Sequence, residues 1–145
     1  MDLGIAMMLG SDGLTPPELG RAVEDRGLES LFFAEHTHIP VASRRADGQP
    51  VRSYADTYDP FVALAAVAAV TTEIKIGTGV CLVTERDPII TAKEVASLDR
   101  LSGGRFLFGV GAAASAHPGG RERPRHGGPG PGFRRRVAAA MRAAR

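Results

Sequence analysis

The chain holds one cysteine, Cys81, in 145 residues, so no internal disulfide can form and a reducing, cytoplasmic setting is expected. Long apolar runs are also missing. The longest, residues 61–70, is ten residues, about half of what a bilayer-spanning helix needs. The opening MDLGIAMMLG has no basic stretch of the kind that begins a secretion signal. Acidic residues all but vanish beyond residue 111, where Glu122 stands alone against eight arginines; residues 1–111 carry 15 acidic and 10 basic side chains, so a net −5 gives way to +7. Aromatics are absent from the same tail except Phe133, which removes the stacking side chains a nucleic-acid surface uses. Neither a membrane nor a nucleic acid is therefore an expected partner.

What the chain does possess is a repeated grammar of apolar strand, capped helix and glycine stop. Leu3 to Leu9 reads as a strand. Thr15-Pro16-Pro17-Glu18 has the spacing of a capping box with proline at the first helical position, and Gly27 stops the helix that follows. Ser30 to Ala34 is a second strand ending on Glu35-His36. A polar stretch from Ile39 to Tyr58 exceeds the usual connection of about 4–6 residues. Asp59-Pro60 and Asp87-Pro88 open two more helices, the first running through Val70, the second centred on Val95 and Leu98 with Ala92 and Leu101 beside them and closed by Gly103. Between them lie strand Ile74 to Gly79 and a loop, Val80 to Arg86. A fourth strand, Arg105 to Val110, runs into Gly109-Val110-Gly111.

The order β-α-β-α-β-α-β implies an α/β fold with a parallel sheet covered by helices. An open doubly wound sheet and half of an eight-stranded barrel both satisfy it. After Gly111 the pattern collapses into Ala, Arg, Gly and Pro, so a domain at 1–111 is expected to be followed by an irregular or disordered basic tail at 112–145.

In either architecture ligands gather at the carboxyl ends of strands. The unusual residues cluster there: Glu35 and His36 after strand two, Thr78, Gly79 and Val80 after strand three, and Gly109 and Gly111 after strand four. His36 is a candidate proton donor or ring partner, since imidazole titrates near neutrality; its alternative is a structural histidine. Glu35 reads equally as an acceptor for a cofactor or as a salt-bridge partner. The glycines at 109 and 111 suit backbone approach to a phosphate or close strand packing. They do not form a dinucleotide fingerprint, because Ala114 stands where its third glycine belongs. No metal site is expected, since His36 and His38 lack a companion ligand set.

Three segments, SLFFAEHTHIP, EIKIGTGV and KEVASLDRLSGGRFLFGVG, in this order and spacing resemble the luciferase-like monooxygenases and, among them, the coenzyme F420-dependent oxidoreductases. The resemblance implies the N-terminal half of a TIM (β/α)8 barrel over residues 1 to about 112. It further implies hydride transfer with F420, or alternatively FMN, on a small organic substrate. On it, His36 is the catalytic residue, Glu35 lies beside the ring, and Thr78, Gly79 and Val80 back it, with a cis peptide falling at Gly79-Val80. Gly109, Gly111 and Ala112 face the cofactor's phosphate side. A complete barrel needs about 250 residues, so the basic tail is expected to replace the second half, its composition being that of GC-rich codons read out of frame. The alternatives are a non-enzymatic half-barrel that forms homodimers through its open edges, and an unrelated phosphate-binding barrel.

Overall fold

The computed structural model describes residues 3–39, 43–44 and 56–112. The tail expected at 112–145 therefore lies outside the described residues apart from Ala112, as does most of the polar stretch before Tyr58.

The strands are β1 (Gly4–Met7), β2 (Ser30–Phe33), β3 (Lys75–Thr78), β4 (Cys81–Leu82), β5 (Phe106–Leu107) and β6 (Val110–Gly111); the helices are α1 (Pro16–Asp25), α2 (Pro60–Ala68) and α3 (Pro88–Leu101). Four strands pair in the order β1-β2-β3-β5, every pair parallel. Their register aligns Ile5, Leu31, Ile76 and Phe106 on one row and Ala6, Phe32, Gly77 and Leu107 on the next. Side chains alternate between faces along a strand, and the first row joins Leu19 and Val23 of α1, Leu64 and Val67 of α2 and Val95 and Leu98 of α3 in one buried core. A spatial order that never reverses, with all three helices packed on one face, is the front of a barrel and not a doubly wound sheet.

Each helix begins where the local chemistry demands. Asp59 Oδ1 accepts from the N–H groups of Phe61 (2.9 Å) and Val62 (3.1 Å), and Asp87 Oδ1 from those of Ile89 and Ile90 (2.9 Å each). These carboxylates satisfy amides that a helix leaves without partners. At α1 the Glu18 carboxylate reaches back to the Thr15 N–H (2.8 Å) and hydroxyl (2.7 Å). Gly27 and Gly103 both take φ of 67° just past a helix end, the left-handed conformation that only glycine adopts freely.

Two expectations need correction. The fourth strand is not continuous: it breaks at Phe108 and Gly109, and its second piece, β6, pairs with β4, which lies inside the stretch expected to be a loop. The apolar stripe of α3 also ends sooner than expected: Val95 and Leu98 at its centre are buried, with Thr91 beside them, whereas Leu101 is 70% exposed.

Candidate functional site

The carboxyl ends of β2, β3 and β5 converge through their polar backbone. β3 ends at the Gly79-Val80 bond, which is cis, and the chain resumes as β4. The Gly79 N–H donates to the Phe33 carbonyl (2.8 Å) and the Cys81 N–H to the Gly109 carbonyl (2.8 Å), so the bulge is tied to both neighbours. Thr78 Oγ1 donates to the same Gly109 carbonyl at 2.8 Å. Leu82 N–H donates to Oε1 of Glu35, drawing the end of β2 into the group.

Gly79, Val80, Val110 and Ala112 are exposed, and His36 is half-buried. Val80 and Val110 keep 40% and 42% of their surfaces accessible. Val80 Cγ2 lies where a Cβ on Gly111 would fall, so Gly79 and Val80 form a small exposed ledge over that glycine, of the apolar type that a planar ring covers with release of water. His36 directly follows Glu35 and supplies a titratable group on the same end of the sheet.

The remaining predicted site residues lie deeper. Thr78 is 1% exposed with its hydroxyl committed to Gly109, so it staples strands and does not present itself at the mouth. Glu35 is 3% exposed, and of its two readings the structure shows the salt bridge: both oxygens accept from Arg86, Oε2 from Nε at 2.9 Å. The glycines at 109 and 111 answer to packing. A Cβ on Gly109 would overlap the Thr78 carbonyl oxygen, and one on Gly111 would overlap Val80 Cγ2.

Arg86 read from the sequence only as the end of a loop. Its side chain is 10% exposed and contacts Glu35, Asp59 and, at 3.4 Å, Glu94, with its guanidinium 4.9 Å from the centre of the Phe61 ring. Burial alone would lower its affinity for a proton, but the carboxylates of Glu35 and Asp59 outweigh that and raise it. Glu94 moves up from the ordinary carboxylate value because burial outweighs the attraction of Arg86, with Asp59 and Glu35 adding repulsion. The buried Cys81 thiol is pushed up by burial first and by the Glu35 carboxylate second, which disfavours its thiolate. Among the described residues no three His, Cys, Asp or Glu side chains come together as a metal site, and no helix is long and apolar enough to cross a membrane.

The parallel sheet of barrel order carries a cis bond after its third strand, as the sequence resemblance implied. Residues 16–142 match the family model described as luciferase-like monooxygenase, and the chain belongs to that family. An uncharacterised protein of Mycobacterium tuberculosis is 40% identical over 117 residues, covering 77% of this chain and 42% of its own length. The solved structure of the coenzyme F420 dependent tetrahydromethanopterin reductase from Methanopyrus kandleri superposes with a TM-score of 0.58 at 28% identity, over 79% of this chain and 28% of the reductase. The oxygenating constituent of 3,6-diketocamphane monooxygenase from Pseudomonas putida, solved with FMN, shares the fold at a TM-score of 0.61 and 20% identity, over 79% and 30%. The chain thus spans less than half the length of these relatives, and within that span it is a partial TIM barrel.

Proposed function

We propose that this chain forms the cofactor-facing front of an oxidoreductase that moves a hydride between coenzyme F420 and a small organic substrate. The observation that carries the reading is that His36, Gly79-Val80 and Gly109 to Ala112 all follow the carboxyl ends of neighbouring parallel strands and are tied together by backbone hydrogen bonds and the Glu35–Leu82 bond, with Val80 exposed among them. F420 is preferred over FMN because the reductase at 28% identity is described as F420 dependent, whereas the FMN-bound monooxygenase at 20% supports the fold alone.

A bound deazaflavin would supply the hydride donor or acceptor. Val80 and Gly79 would lie against one side of its ring, and the imidazole of His36 would donate a proton to the substrate or a hydrogen bond to the ring. Gly109, Gly111 and Ala112 would border the phosphate side. Glu35 and Thr78 act from behind, holding the strand ends at their spacing.

Titration of the full chain with F420 and, separately, with FMN, followed by fluorescence, tests this. Saturable F420 binding that His36→Ala weakens about tenfold, the cost of one good hydrogen bond, is the expected result. A monodisperse preparation that saturates with neither cofactor overturns it, and tighter binding of FMN replaces the cofactor.

One observation favours a second reading, a half-barrel that self-associates without catalysis: the row Ala6, Phe32, Leu107 lies on the face that the helices leave open, with Leu107 42% exposed. Light scattering across a concentration series, alongside the titration, separates the two.

A further inference from the structure

Arg86 is too deeply buried and too fully paired to be an ordinary loop residue. A guanidinium at 10% exposure is costly to desolvate unless its partners are close and well aligned. Here one planar group spans the Glu35 carboxylate with Nε and a terminal nitrogen, reaches Asp59 Oδ2 with the same terminal nitrogen and approaches Glu94 with the other. Phe61 supplies an aromatic face beneath it.

The partners do different jobs. Asp59 already caps α2 through Oδ1, so its link to Arg86 secures a helix start. Glu35 is joined on one side to His36 by the chain and on the other to β4 by the Leu82 N–H. Arg86 therefore closes a triangle whose corners are the segment carrying His36, the segment carrying Val80 and the turn from which Arg86 itself projects. A lysine has the charge but not the fork that grips both carboxylate oxygens.

We propose that Arg86 is a positioning residue: through Glu35 it fixes the His36 segment relative to the Gly79-Val80 ledge. The inference rests on the proposed function for what the site binds, while the geometry it concerns exists without a ligand. Its consequence is that the two arms of the clamp are not equivalent. Weakening the Glu35 arm displaces His36, and weakening the Asp59 arm loosens a helix start and leaves His36 where it is.

The test uses the full chain, with Arg86→Lys, Glu35→Gln and Asp59→Asn, the last retaining a residue type that caps helices well. Imidazole proton and nitrogen signals of His36 are recorded without ligand, assigned by their loss in His36→Gln, together with the thermal midpoint and F420 affinity. Arg86→Lys and Glu35→Gln are each expected to shift the His36 signals and to weaken F420 binding about tenfold, the worth of one hydrogen bond held out of line. Asp59→Asn is expected to lower the midpoint with the His36 signals unmoved. Unmoved signals in both Arg86→Lys and Glu35→Gln, or equal shifts in all three variants, overturn the inference whatever happens to the midpoints. Should Arg86→Lys fail to fold, Glu35→Gln decides alone. If the unaltered chain binds no cofactor, the proposed function fails, and the His36 signals still decide whether Arg86 positions that segment.

Discussion

Thr78 Oγ1 donates to the Gly109 carbonyl at 2.8 Å, across the point where β3 and β5 part and β4 and β6 take over the pairing. That carbonyl also accepts the Cys81 N–H at 2.8 Å, so two donors from either side of the cis bond hold one oxygen. Replacing Thr78 by valine keeps the shape and leaves the oxygen its second donor. The expected cost is about 1 kcal/mol, the net worth of one such bond, read as a lower midpoint in urea unfolding.

Gly109 tests whether close backbone approach governs this end of the sheet. Gly109→Ala places a methyl against the Thr78 carbonyl, a backbone atom that cannot swing aside. A loss of about 3 kcal/mol or more is expected, at the upper end of overpacking effects. Gly13→Ala is the control: nothing lies within 4 Å of its added carbon, and its unfolding free energy should stay within about 0.5 kcal/mol of the parent.

Arg105 is a second hub, at the opposite end of the sheet. Its guanidinium donates to the carbonyls of Ser102 (2.8 Å), Ile74 (2.8 Å), Thr71 (2.9 Å) and Ala68 (3.3 Å) and to Thr71 Oγ1 (3.1 Å). These carbonyls include the end of α2, which has no basic residue of its own in its last turn. Arg105→Met keeps the stem and strips the donors. About 2–4 kcal/mol of stability should be lost, as for charged groups whose buried partners are left unpaired, measured by chemical denaturation.

Two glutamates should pull the acid side of the stability profile in opposite directions. Burial would raise the Glu24 carboxyl, but the N–H groups of Glu73, Thr72 and Ile74 donate to it at 2.7, 2.8 and 3.2 Å and hold it below the ordinary value. Its anion therefore stabilises the fold above the ordinary carboxylate range, and that contribution disappears as pH falls through the lowered value. Glu94, raised by burial, behaves inversely: stability is lost as pH rises from the ordinary value through the raised one. Unfolding midpoints taken from about pH 3 to 7 should show Glu24→Gln flattening the acid-side loss and Glu94→Gln steepening the net rise with pH.

The parts of the fold that were legible from sequence are those with short-range causes. Asp59-Pro60 and Asp87-Pro88 mark helix starts because an N-cap and its amides lie two or three residues apart. Gly27 and Gly103 mark stops because a positive φ is a property of one residue. The broken fourth strand was not legible, since the break at Phe108 and Gly109 depends on the bulge at Gly79-Val80, some thirty residues earlier (about one βαβ unit). Arg86 was hidden for the same reason. Its partners Asp59 and Glu35 are 27 and 51 positions away, and an arginine before a helix cap gives no local sign of burial. Among the candidate site residues, their shared end of the sheet followed from strand order alone. Which of them face outward did not: Thr78 and Glu35 turn inward because hydroxyl and carboxylate find better partners in the backbone and in Arg86 than in water.

Phe32 leans on bare backbone. Carbons added at Gly77 and at Gly79 would meet it at 2.6 Å and 3.0 Å. Its ring lies over Gly77 and its Cβ against Gly79, an approach that the missing side chain at Gly77 permits. A methyl at position 77 would have to push that ring aside, and with it the row that Ala6, Phe32 and Leu107 make on the face the helices leave uncovered.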